Sequence, residues 1–235
     1  MKNIKIVYGR NGSDIHRRMR SKVADFAAHA AAEDRAFFIV PDQYTLTAER
    51  FLLAAVGEKA LRNIRVVSFK RLASLSFSEK GKTFDFVGEG GRAALVSAAF
   101  DAVSPQLKYY AGYSDFYFNE ALCERIKMFK EYAVTPDALL TAETSDAVHD
   151  LALVYAAYDA LLGADRADPA DNLRLFAELI AEHGLFRGTT VFIDFFKVLN
   201  ASELSVVRAL YEAGAEINVG LVEDESRDDC GIFAP

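Results

Sequence analysis

The sequence predicts an α/β protein: a parallel sheet with helices on both faces, interrupted by an all-helical insertion. Three observations predict it. Short apolar runs and helix-spaced segments alternate three times before Gly81, as strands and their covering helices do in a parallel sheet. From about Gly81 to Gly188 one helix-like segment follows another with no convincing strand. Strand, helix and strand then return from Thr189 onward. The expected division is a discontinuous α/β domain of residues 1–79 and 188–235, with residues 80–187 as the helical insertion subdomain.

Each element has a local reason. IKIVY is a short apolar run that turns through GRNGS into a helix. There Ile15, Met19, Val23, Phe26 and Ala30 share one face, while Arg17, Arg18, Arg20 and Lys22 face outward. AFFIVP is a second strand stopped at Pro41, and DQYTLTAERFLLAAVG is a loop and a helix ending near Gly57. IRVVSF is the third strand and KRLASLSFSEKG the third helix. In the insertion, Phe118, Leu122, Ile126 and Phe129 mark a long amphipathic helix running into Tyr132. Thr135-Pro136 caps the next, with proline at the first helical position, where a missing N–H costs nothing. Val148, Leu151, Ala152, Tyr155 and Tyr158 mark another, and Asp168-Pro169 opens one more through Ile180. TTVFIDFF, ASELSVVRALYEAG and EINVGLV then read as strand, helix and strand, before an acidic, loop-like tail.

Composition narrows the function classes. At 51% hydrophobic and 26% charged residues, the chain reads as a soluble globular protein. A net charge of −7 argues against a general polyanion-binding surface but leaves room for a local basic groove. Cys123 and Cys230 lie far apart, which argues against a disulfide framework, an iron–sulfur centre or structural zinc. His16, His29, His149 and His183 share no ligand spacing, so no metal site is expected. The first residues read as a strand rather than a leader, and no apolar run is long enough to span a bilayer. A cytoplasmic location with no membrane partner is the expectation.

The glycine-rich turn after the first strand has the shape of a P-loop, where backbone N–H groups and a helix N-terminus hold phosphate. The full pattern is G-x-x-x-x-G-K-[ST]. Here Gly9, Arg10, Asn11, Gly12 and Ser13 lead into Asp14, Ile15 and His16. Asp14 stands at the second glycine, Ile15 at the phosphate-gripping lysine and His16 at the magnesium-binding hydroxyl. A carboxylate there repels triphosphate and isoleucine supplies no counter-charge. The turn is thus a nucleotide-binding candidate of degenerate chemistry, or a strand-to-helix connection that binds nothing. In parallel α/β sheets ligands collect outside the carboxyl ends of the strands. Four segments converge there: the Gly9–Ser13 turn, PDQYT, Phe69-Lys70-Arg71, and Asp194-Phe195-Phe196. The dense aromatic stretch from Tyr109 to Phe118 reads as helix-on-helix packing, with an exposed stacking patch as the other reading.

The order GRNGS, VPDQYTLTAE, SFKRLA, FKEYAVTPDAL, HDLALVYAAYDALL and VFIDFF followed by SEL resembles the N-terminal part of the B subunit of AddAB-type (RexAB-type) helicase–nucleases. The likeness runs across nearly the whole chain and implies the first part of a much longer subunit. It implies a superfamily-1 helicase-like, P-loop NTPase-like sheet domain, with the helical insertion as its accessory subdomain. The enzyme implied degrades and resects duplex ends, starting recombinational repair of double-strand breaks. Its B subunit scans the emerging single strand for a regulatory sequence, Chi. The partners implied are single-stranded DNA, the A subunit and the remainder of the B subunit. ATP and magnesium serve the parent complex, and no cofactor is expected on these residues.

The resemblance also assigns residues. Magnesium-dependent helicases carry Asp-Glu at the strand after the insertion, and here Asp194 is followed by Phe195. Without lysine, hydroxyl or glutamate, neither phosphate charge nor the attacking water is managed, so no catalytic residue is expected. Asp42, Gln43 and Thr45 match polar residues that line the family's strand channel. Phe69 and Arg71 match its aromatic and basic pair, and Phe196 the aromatic after the aspartate. Ser74 stands where the family commonly carries tryptophan, so one stacking surface is missing. Read without the resemblance, Phe69 and Phe196 are core residues and Arg71 is a surface residue at a helix start. An active P-loop NTPase or kinase with an unorthodox loop is the alternative function.

Overall fold

The computed structural model describes residues 3–9, 14–31, 33–60, 63–113, 116–142, 145–163 and 165–222. Arg10, Asn11, Gly12 and Ser13, four of the expected phosphate-turn residues, and Cys230 lie outside them. Contacts divide the chain into two compact units. One comprises residues 1–76, 176–199 and 203–235, the other residues 77–175 and 200–202.

The first unit is built on five parallel strands: β1 (Asn3–Gly9), β2 (Ala36–Ile39), β3 (Ile64–Val67) and two that follow the second unit in sequence. These last are Thr190–Ile193 and Glu216–Val222, numbered β6 and β7 below. Their spatial order is β1-β7-β6-β2-β3, so the strand made last lies beside the strand made first. Register sets Val7 level with Gly220 and Ile39 level with Ile193. The apolar runs give strands because alternate side chains find a covering helix on each face. Val7, Ala36, Phe38, Ile64, Val66 and Phe192 form one core with Ile15, Met19 and Val23 of α1 (Ile15–His29) and Ala48 and Leu52 of α2 (Thr45–Ala60). Phe37 points the other way, onto Phe186 at 5.4 Å, which in turn meets Phe176. α2 breaks at Gly57, whose φ of 72° is open to a residue without Cβ. α3 (Phe69–Glu79) follows β3 directly, and the helix Ala201–Ala213 joins β6 to β7.

The second unit departs from the all-helical expectation. β4 (Asp85–Phe86) and β5 (Arg166–Ala167) pair in parallel, two residues each, too short to leave a period in the sequence. Around them lie α4 (Glu89–Val103), α5 (Phe116–Glu131), α6 (Pro136–Thr141), α7 (Asp146–Leu162) and the start of α8 (Asn172–His183). Val96, Phe100, Leu122, Ile126, Val154, Tyr155 and Tyr158 make their core. The caps are those read from the sequence: Thr135 Oγ1 accepts the Ala138 N–H, and Asp168 accepts that of Ala170. The aromatic stretch divides. Tyr110 and Phe118 pack with the core, while Tyr109, Tyr113, Phe116 and Tyr117 are exposed.

Four charged residues, Lys130, Asp150, Asp168 and Asp171, are buried among the described residues of this unit and fix its interior. Lys130 on α5 donates to Asp159 and to Asp171, each at 2.8 Å. Asp150 accepts three backbone N–H groups, from Lys108, Tyr109 and Tyr110. Asp168 accepts from Arg92 and from the Tyr158 hydroxyl. Burial works to raise the Asp168 carboxyl, but Tyr158, the Ala170 N–H and Arg92 together hold it below the usual carboxylate range. Among the described residues no helix is long and apolar enough to cross a membrane.

Candidate functional site

The carboxyl ends of the strands in the first unit carry the residues singled out from the sequence. Gly9 ends β1. Asp42 and Gln43 lie exposed in a short 3-10 turn after β2, and Thr45 opens α2 with its hydroxyl on the Asp42 carbonyl. Phe69 and Arg71 begin α3. Asp194, Phe195 and Phe196 follow β6.

Asp194 is the centre of this edge. Phe192 and Asp194 share the face of β6 that α1 covers, as Phe26 set edge-on to Phe192 attests. At the start of α1, His16 Nδ1–H donates to Asp194 Oδ1 at 2.9 Å, and the Phe195 N–H donates to the same oxygen at 2.8 Å. The other oxygen, Oδ2, is buried with no partner among the described residues. The side chain is 1% exposed. Burial pushes its carboxyl above the usual carboxylate range, against the pull of the Phe195 N–H and of His16.

β7 runs between β1 and β6, and Gly220 is what lets α1 and Asp194 meet across it. A Cβ at Gly220 would stand 2.8 Å from Asp194 Oδ1 and 3.4 Å from an Ile15 methyl. Starting at His16, three rings form a continuous stack. His16 lies on Phe195 with centroids 4.2 Å apart and planes 7° from parallel, and Tyr44 lies on Phe195 at 5.2 Å and 21°. Phe195 holds this place at a φ of 69°, a conformation costly for a side chain of this bulk. Arg20 is drawn over the Phe51 ring at 3.4 Å. Ile15 is buried in the α1 core rather than turned to the strand ends.

The arrangement holds a buried carboxylate tied through His16 to a stack of rings. The lysine position holds a core isoleucine, and of the α1 arginines Arg18 reaches the Tyr8 carbonyl and Arg20 is drawn over Phe51. Sequence reasoning placed His16 at the P-loop hydroxyl position and expected no metal there; its partnership with Asp194 and Phe195 escaped that reading because 178 positions separate His16 from the aspartate. The available signal was its place at the P-loop hydroxyl position. Phe69 also differs from the expected stacking platform. It is 3% exposed and packs on Phe196 at 5.5 Å, so its ring supports the loop instead of facing outward. Phe196 is half-buried, and the Arg71 side chain is exposed. Among the described residues no cluster of His, Cys, Asp or Glu is placed to hold a metal ion.

Residues 6–233 match the family described as ADDB, N-terminal. The chain is 30% identical to the B subunit of the ATP-dependent helicase/deoxyribonuclease of Thermoanaerobacter sp. (strain X514), over 96% of this chain and 20% of that protein. It is 28% identical to the protein of the same name from Desulforudis audaxviator (strain MP104C), over 98% of this chain and 21% of that protein. With the one from Clostridium tetani (strain Massachusetts / E88) it shares 25% identity, over 99% and 22%. The chain thus spans about a fifth of the length of these relatives. The match runs from within β1 across the strand-end residues and the second unit to beyond β7, and the chain belongs to the ADDB N-terminal family.

Proposed function

We propose that this chain is a P-loop NTPase-like, superfamily-1-like module that no longer turns over nucleotide, and that it guides single-stranded DNA in a helicase–nuclease. The relatives are named as the B subunit of an ATP-dependent helicase/deoxyribonuclease. On this reading the partners are an A subunit and the remainder of a B subunit in the cytoplasm, acting in double-strand break repair and recombination. Chi contact falls to the strand-end loops, and ATP and magnesium belong to the assembled enzyme.

The observation that carries the reading is the ring stack tied to Asp194. In a working phosphate site the strand-end aspartate and the first helix face an anion and its metal. Here His16 takes the aspartate oxygen, and Phe195 and Tyr44 continue a stack from its ring. Nucleotide titration tests this part. The chain is expected to give no saturable heat with ATP, with or without magnesium, and micromolar binding would overturn the assignment in favour of an active NTPase.

For the strand itself, Asp42, Gln43, Thr45, Arg71 and Phe196 occupy one edge of the sheet with polar, cationic and aromatic groups. Such sets clamp phosphate and stack bases. In the assembled enzyme Arg71→Ala is expected to weaken single-strand binding by about 1–3 kcal/mol and to reduce its salt dependence. Phe69→Ala is expected to weaken it too, but with a fall in melting temperature, since a buried ring leaves a cavity under the loop. A salt series of oligonucleotide binding beside thermal melts separates the two. Wild-type binding by both variants at every salt concentration removes these loops from the DNA path.

A further inference from the structure

At the far edge of the sheet, β3 has no neighbouring strand beyond it among the described residues. Against it lies a cavity of about 810 Å³ between α2 and the start of α3. Arg35, Arg50, Arg65 and Arg71 line it, and all four side chains are exposed. None of these guanidinium groups has a hydrogen bond or ion pair among the described residues. The lining carboxylates are Asp34, which is engaged by the Ala31 N–H, and Glu49. Four positive groups against two negative ones make a cationic groove on a chain whose net charge is −7.

The wall is apolar. Leu46 and Leu53 lie seven positions apart on α2, two turns along one face, and are 58% and 45% exposed. Arg is enriched at protein interfaces, and exposed leucines beside unpaired arginines offer a partner apolar area as well as charge. The planar guanidinium fork pairs with carboxylates two bonds at a time.

We propose that this groove binds an acidic polypeptide segment, with its carboxylates on Arg35, Arg50 and Arg65 and its apolar side chains against Leu46 and Leu53. A nucleic-acid backbone would satisfy the arginines but leave the leucines uncovered, so the polypeptide accounts for more of the surface. The proposal does not rest on the strand-end reading, and Arg71, which belongs to that reading, is left untouched in its test.

The probe is a synthetic, dye-labelled peptide in which glutamates alternate with leucines, titrated onto the whole chain and followed by fluorescence anisotropy. Saturable binding is expected, weakened about tenfold or more by Arg35→Glu, Arg50→Glu and Arg65→Glu together, and several-fold by Leu53→Asn. The same peptide with lysines for glutamates is expected not to bind. All four substituted side chains are exposed, and circular dichroism melts confirm that the variants fold. No binding of the acidic peptide, or binding indifferent to the arginines, overturns the proposal. An oligo-dT that binds through the three arginines without regard to Leu53 also overturns it, and makes the groove a nucleic-acid surface.

Discussion

Replacing Lys130 by methionine is expected to lower stability by about 2–3 kcal/mol, less than the full cost of breaking a buried ion pair, because Asp159 is 37% exposed and Asp171 keeps Arg174. The ammonium is 4% exposed and holds Asp159 and Asp171 at 2.8 Å each. Without it Asp159 loses its cation and Asp171 is left with Arg174, 3.3 Å away. Burial already holds Asp159 above the usual carboxylate range despite the hydrogen bond from Lys130, and the substitution raises it further. A carboxyl whose folded pKa is raised weakens the fold above that pKa and ceases to do so once pH falls below the unfolded value. The deficit is therefore expected to be full at neutral pH and to shrink as pH falls toward about 4. Urea unfolding of both proteins across that range measures it. Lys130→Met with Asp171→Asn is expected to recover part of the loss.

Asp150→Ala is expected to cost about 3 kcal/mol, because each hydrogen bond to a charged acceptor contributes roughly 1.5–3 kcal/mol and the three do not add. The carboxylate is fully buried and gathers the N–H groups of Lys108, Tyr109 and Tyr110 within 2.7–3.0 Å. A methyl group in its place accepts nothing, and the three donors lose their common acceptor. The Tyr109 and Tyr110 rings, 4.9 Å apart, are carried on the same turn, so near-ultraviolet circular dichroism should change with the melt. Asp150→Asn, which keeps one acceptor oxygen, is expected to lose about half as much.

Much of the fold was legible because its signals are local. Each of the five apolar runs is a strand of the sheet, and the turn residues at Gly57, Thr135 and Asp168 act where they were read. The β4–β5 pair was not legible, since two residues carry no alternation. Nor was the strand order, which depends on which faces the helices cover. The site divides in the same way. Asp194 stood out by its place after an apolar strand, but the stack of His16, Phe195 and Tyr44 assembles from three distant segments. Phe69 was read as either core or platform, and only packing against Phe196 decides between them. Lys130 and Asp150 were readable in principle. Lys130 continues the stripe of Leu122 and Ile126, and Asp150 begins that of Val154 and Tyr158, at intervals of four. A charge in step with an apolar stripe marks a buried ion with a partner elsewhere.

The position of β7 has a consequence for how the chain comes to be. Among the described residues β1 pairs with β7 alone, from Asn3 beside Glu216 to Gly9 beside Val222. At a synthesis rate of about 5–20 residues per second, β1 leaves the ribosome roughly 10–40 s before its partner exists. During that interval Ile4, Ile6 and Tyr8 ride on an unpaired strand, while β2 and β3 already have each other. β6 begins at Thr190, only 26 residues before β7 at Glu216, so the slot between β1 and β6 opens late and the last strand fills it. Until it does, α1 can pack on β2, β3 and α2, but the Gly220 position between Ile15 and Asp194 is missing.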